Sequence, residues 1–155
     1  MKNADEKEDS YFINKRALGE LFDSKFPLNL HLWRGQKPAE KGNPVLYPIL
    51  KAFLLSNGKR REPDIDTYEK SGTTWVKATS GGVSLFDALG VPNSKWKYYR
   101  LPAGTDIPHG LVITKDSFNP RHNATHYSLR PNWDMPLKKF LMLLDQVATK
   151  LVAEA

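Results

Sequence analysis

The sequence contains no cysteine. That excludes disulfides, thiol nucleophiles and thiolate metal ligands. Metal-binding patterns are scarce as well: there are four histidines, His31, His109, His122 and His126, and no H-E-x-x-H or Cys/His motif. Only His122 and His126 stand close together, and the second falls in an expected strand, so the two need not share a face. No metal site is expected. Long hydrophobic runs are missing too. The longest, "FLMLLDQVATKLV", is too short and too interrupted to span a bilayer, so no membrane association is expected. Neither G-x-G-x-x-G nor a P-loop occurs, and there is no internal repeat or low-complexity linker. Paired carboxylates for glycoside-type chemistry are not evident either. Asp64 and Asp66 sit in an expected loop, Asp116 follows an expected strand, and Glu69 has no partner. The amino end, "MKNADEKEDS", is charged and leads into no apolar run, so the expectation is a chain without a cleavable secretory signal.

What is present suits a globular protein. The 155 residues are 40% hydrophobic and include seven Phe, six Tyr and four Trp. That is enough to bury a core without staples. The expected organisation is a tail over residues 1–9 and one domain over 10–155. Net charge is +6, although the first ten residues carry Asp5, Glu6, Glu8 and Asp9 against Lys2 and Lys7. Basic clusters lie at Lys59-Arg60-Arg61, at Lys95, Lys97 and Arg100, and at Lys138-Lys139. Such a balance favours anionic partners, although each cluster alone reads first as solvated surface.

Periodicity places the elements. "SYFINKRALGELFD" predicts a helix over 10–23 capped by Ser10, and "LNLHLWRG" a strand over 28–35 that ends at a glycine. "VLYPILKAFLLSNG" puts Val45, Leu46, Ile49, Leu50, Phe53 and Leu54 on one helical face. Strands are expected at Thr67–Glu69, Thr73–Ala78, Trp96–Leu101, Leu111–Lys115 and Thr125–Leu129. "GVSLFDALGVP" reads as a short helix entered from a glycine pair, and a closing helix from about Leu137 buries Leu137, Phe140, Leu141, Leu144, Val147, Ala148 and Leu151. Helices separate the early strands, whereas later strands follow one another directly. The order points to an α+β domain with a largely antiparallel sheet, open to a split in two.

Three features touch on chemistry. Arg34 beside Gly35 at a strand end has the forked geometry that receives phosphate or carboxylate, although a solvent-facing strand-end arginine is the plainer reading. Gly81 and Gly82 open a turn whose N–H groups could meet an anion, although an ordinary turn is the plainer reading. His126 lies in a strand next to Tyr127, where a packed histidine is the plainer reading.

Taken in order, these segments resemble an exported type VI secretion effector toxin family with an ADP-ribosyltransferase-like fold. The resemblance rests on Pro63-Asp64-Ile65, on Gly81-Gly82 with Ser84, Phe86, Asp87, Gly90 and Val91, and on Gly104-Thr105-Asp106-Ile107-Pro108. It continues through Leu111, Asp116-Ser117, Asn119, Arg121 and Ala124-Thr125-His126-Tyr127, covering roughly residues 63–147. It implies a split, mostly antiparallel sheet with flanking helices and NAD as substrate. Arg34, Gly81, Gly82 and Ser84 would bind NAD, and Ser84, His126 and Tyr127 would form the catalytic set. It also implies a cognate immunity protein, a macromolecular acceptor, and action in a recipient cell's cytoplasm. A water acceptor would make the protein an NAD glycohydrolase, and lost turnover a non-catalytic basic binding module. The sequence departs from the pattern twice. Many transferases of this fold carry a glutamate on a late strand where His126 and Tyr127 stand here, and Val83 replaces a threonine before the serine.

Overall fold

Two long runs, Leu111–Asn119, which opens with three apolar residues, and Ala124–Pro131, in which polar and apolar residues alternate from His126 on, pair over eight positions in the main sheet. A computed structural model of the chain describes residues 11–38, 40, 42 and 44–154. The expected tail and the Ser10 cap lie outside these residues. In chain order the strands are β1 (Leu21–Phe22), β2 (Leu32–Gln36), β3 (Phe53–Leu54), β4 (Arg60–Arg61), β5 (Thr67–Lys70) and β6 (Thr73–Val76). They continue as β7 (Val83–Phe86), β8 (Lys97–Leu101), β9 (Leu111–Asn119), β10 (Ala124–Pro131), β11 (Met135–Pro136) and β12 (Val152–Ala153). The helices are α1 (Ile13–Ala17) and α2 (Leu137–Ala148).

The main sheet has seven strands in the order β1-β9-β10-β7-β2-β8-β12, a smaller one runs β11-β6-β5, and β3-β4 form a separate ribbon. Every strand pair among the described residues is antiparallel. Alternation fixes which face is buried. In β7, Val83 and Leu85 are buried while Ser84 and Phe86 are half-buried on the other face. Helix α2 adds Phe140, Leu143, Leu144 and Val147, the i, i+3, i+4, i+7 stripe of an amphipathic helix, to the core cluster that holds Leu32, Val83, Leu85, Ile113 and Leu129. Burying each such side chain is worth about 1.5–3 kcal/mol.

Three expected helices differ from what forms. Residues 10–23 yield only the five-residue α1, which buries nothing: Ile13 and Leu18 are exposed, so no apolar face sustains a longer helix. The chain turns at Gly19, at φ +72°, into β1, which pairs with β9. Residues 45–52 are not helical. A Pro48 ring in a helix would meet the carbonyl of residue 44, and the Ile49 N–H is instead taken by Asp64 Oδ2 at 2.7 Å. Of the proposed helical face Leu46 is buried, whereas Val45 and Leu54 are exposed. "GVSLFDALGVP" contains strand β7 rather than a helix, because its V-S-L-F alternation is satisfied by pairing with β10 and β2.

Candidate active site

The site begins where the sheet loosens. β2 and β7 share a single paired position, Trp33 with Phe86, although β2 runs on beside β8 for five pairs. Beyond that position the β2–β7 ladder stops and a cleft of about 370 Å³ opens. β2 lines it with Trp33 and Arg34, β7 with Ser84 and Phe86, and the segment after β7 with Pro92 and Trp96. A neighbouring space of about 320 Å³ shares Arg34, Gly35, Glu40 and Tyr47 with it, so the recess is elongated. Gly35 is needed here, since a Cβ would stand 2.9 Å from the Trp96 ring.

Arg34 sits inside β2, where the sequence placed it at a strand end. Its Nη1 donates to the Ser84 carbonyl at 3.1 Å across the gap in the ladder. Burial lowers its pKa, and the charges of Asp64 and Glu40 oppose that shift. Arginine nevertheless stays protonated at any physiological pH. Asp64 is engaged elsewhere, by the Ile49 N–H at 2.7 Å and by Arg61 at 2.8 Å. Among the described residues no carboxylate lies within ion-pair distance of Arg34, which leaves a desolvated guanidinium facing the cleft.

A hydrogen-bonded series leads away from the cleft on the other side. Ser84 Oγ lies 2.9 Å from His126 Nε2, and His126 Nδ1 lies 3.1 Å from Asp116 Oδ2. Phe86 meets the imidazole edge-on at 5.3 Å. Asp116 also receives Ser128 Oγ at 2.5 Å on Oδ2, and Thr114 Oγ1 at 2.9 Å and Arg130 Nη2 at 3.2 Å on Oδ1. Burial alone would raise the Asp116 pKa. Hydrogen bonds from His126 and Ser128, the Arg130 charge and the Thr114 hydrogen bond outweigh it and hold the pKa below the usual value. A register shift explains the aim of this carboxylate: His126 pairs with Ser117 and Tyr127 with Lys115, so Asp116 is the extra residue of a β-bulge in β9.

The structure therefore brings Arg34, Ser84 and His126 together, and separates the other expected site residues from them. Tyr127 is 5% exposed and belongs to the core cluster, tilted against Phe22 at 6.5 Å; strand alternation turns it to the face opposite His126. Gly81 and Gly82 do not line the cleft. A Cβ on Gly81 would stand 2.1 Å from the Asp64 carbonyl oxygen, and one on Gly82 2.4 Å from that of Leu129, so close backbone packing requires both glycines. Val83, the departure from the family pattern, is a core residue facing away from Ser84. Arg130 joins the Asp116 cluster, whereas Arg121 lies exposed in the β9–β10 turn. Sequence reading missed Asp116, Thr114 and Ser128 as neighbours of the site and left Arg130 open between a ligand contact and the surface. Their signal was the period-2 polar series Thr114/Asp116 and His126/Ser128/Arg130 in two adjacent strands.

Among the described residues no group of three or more His, Cys, Asp or Glu side chains could hold a metal ion, and no helix is long and apolar enough to cross a membrane. A family model described as Tse2 ADP-ribosyltransferase toxin matches residues 9–155. Toxin Tse2 of Pseudomonas aeruginosa is 32% identical over 111 residues, covering 71% of this chain and 68% of that protein. A half-buried cation at a gap in an antiparallel sheet, with a serine and a histidine beside it, is thus carried on a chain that belongs to the Tse2 ADP-ribosyltransferase toxin family, whose members are type VI secretion effectors.

Proposed function

We propose that this toxin uses NAD as its substrate and transfers ADP-ribose to a macromolecular acceptor in the cytoplasm of a recipient cell. The observation that carries the reading is that Arg34 and Ser84 line one cleft, with His126 behind Ser84 at hydrogen-bond distance from its hydroxyl. The residues suit a dinucleotide. Arg34 offers a desolvated cation for a pyrophosphate, and Trp33, Phe86 and Trp96 offer ring faces and edges for the bases. Cleavage of a nicotinamide–ribose bond builds positive charge on the sugar, and a site that accelerates it must hold the substrate and stabilise that charge. Arg34 would anchor the phosphates. Ser84 would orient the ribose through its hydroxyl, with His126 as the partner that keeps the hydroxyl in place. Gly81 and Gly82 would support this indirectly, by allowing β7 to lie flush against Leu129. A toxin of this activity endangers its producer, so a cognate immunity protein is part of the reading, as is export to a recipient cell.

Incubating the protein with NAD and following free nicotinamide tests it. Wild type should release nicotinamide, while Arg34→Ala and Ser84→Ala should each slow release by about a hundredfold. Retention of full activity by both variants overturns the site. Release that is equally fast with and without added cell protein, and leaves no ADP-ribose on that protein, identifies water as the acceptor and makes the protein an NAD glycohydrolase.

A further inference from the structure

The Asp116 carboxylate is the most heavily hydrogen-bonded group near the cleft and touches no cleft wall itself. Four donors converge on its two oxygens: His126 and Ser128 on Oδ2, Thr114 and Arg130 on Oδ1. A carboxylate only accepts, so the hydrogen at 3.1 Å between it and His126 must belong to Nδ1. A neutral ring then has a bare lone pair on Nε2, which at 2.9 Å can only accept from the Ser84 hydroxyl. The donors thus all point one way, from Ser84 to His126 to Asp116. The opposite tautomer would set an Nδ1 lone pair against the carboxylate. The sheet supplies the alignment, because Asp116, His126 and Ser84 stand on β9, β10 and β7, three adjacent strands.

We propose that Asp116 is a positioning residue that fixes the His126 tautomer through Nδ1–H, so that a carboxylate acts on the cleft through two intervening side chains. A hydroxyl that donates to a polarised imidazole carries more negative charge on its oxygen. Because Ser84 lines the cleft, that oxygen is what a bound sugar would meet. The inference rests on the NAD reading above. It accounts for catalysis at a site where no glutamate stands on the late strand: the negative charge is present, one strand further from the cleft. The bulge at Asp116 is the device that turns the carboxylate towards β10.

Two measurements on the full chain test this. In the first, nitrogen-15 NMR of the wild-type imidazoles in the absence of NAD should show the neutral His126 ring protonated on Nδ1. A ring protonated on Nε2 overturns the proposal, whatever the activity. In the second, Asp116→Asn should lower the kcat for nicotinamide release by about a hundredfold while KM stays within about threefold. An Asp116→Asn protein with wild-type kcat also overturns it, as does one in which only KM rises. Failure of the NAD reading looks different: wild type itself then releases no nicotinamide, and both proposals fall together.

Discussion

At the scale of single residues, the separation of roles within the "THYS" segment is the main result. His126 and Tyr127 are neighbours in sequence and stand on opposite faces of β10. Tyr127→Phe should therefore leave nicotinamide release within about twofold of wild type, since the ring packs in the core and only the hydroxyl is lost. Glycines 81 and 82 behave as packing residues. Gly82→Ala should destabilise by about 2–3 kcal/mol in urea unfolding, because its Cβ would meet the Leu129 carbonyl at 2.4 Å and the Arg130 Cβ at 2.8 Å. Asp116 gives a pH signature. Its folded-state pKa is lowered relative to the unfolded chain, so it contributes stability at and above neutral pH that is lost as the pH falls through the folded value. Asp116→Asn should thus flatten the acid limb of the stability–pH curve, measured by thermal unfolding at a series of pH values.

At the scale of elements, α2 and β7 show when periodicity is a safe guide. For α2 the sequence predicts the element and part of its buried stripe: Phe140, Leu144 and Val147 are buried as expected, Leu143 joins them, and Leu137, Leu141, Ala148 and Leu151 are only partly buried. The helix is long enough for its 3.6-residue period to be unambiguous. Phe140→Ala should cost about 3–5 kcal/mol, read by chemical denaturation, since the ring is fully buried. β7 is only four residues long, and a run of that length can be read as either element. Pairing with β10 decided the matter, and it places Ser84 in a strand opposite Ser128 rather than at a helix start. Residues 45–54 failed for a different reason. Their apolar spacing suits a helix, but Pro48 removes the geometry, and Asp64 captures the Ile49 amide instead.

At the scale of the molecule, the cleft and the hydrogen-bonded series occupy successive strands of one sheet. Reading across it, β9 carries Asp116, β10 His126, β7 Ser84 and β2 Arg34. The gap between β2 and β7 lets a ligand reach the last two. On the NAD reading, a hundredfold excess of NAD over its Kd should stabilise the wild-type protein by about 2.7 kcal/mol, seen as a raised Tm. Arg34→Ala should abolish most of that shift, because the only cleft-facing guanidinium free of a carboxylate among the described residues would be gone.

By itself the sequence determined the α+β class, the late antiparallel strands, the α2 core stripe, and Arg34, Ser84 and His126 as residues of interest. The elements follow from local periodicity, which needs no knowledge of what lies opposite, and the three site residues from the resemblance to the toxin family. Only the tertiary structure decided the rest: Tyr127 and Val83 face the core, the glycine pair packs backbone to backbone, and Asp116 stands behind His126. Each of these depends on strand register, and in β9 a single extra residue shifts that register. A one-residue slip turns a side chain to the other face, and the composition of the strand does not reveal it.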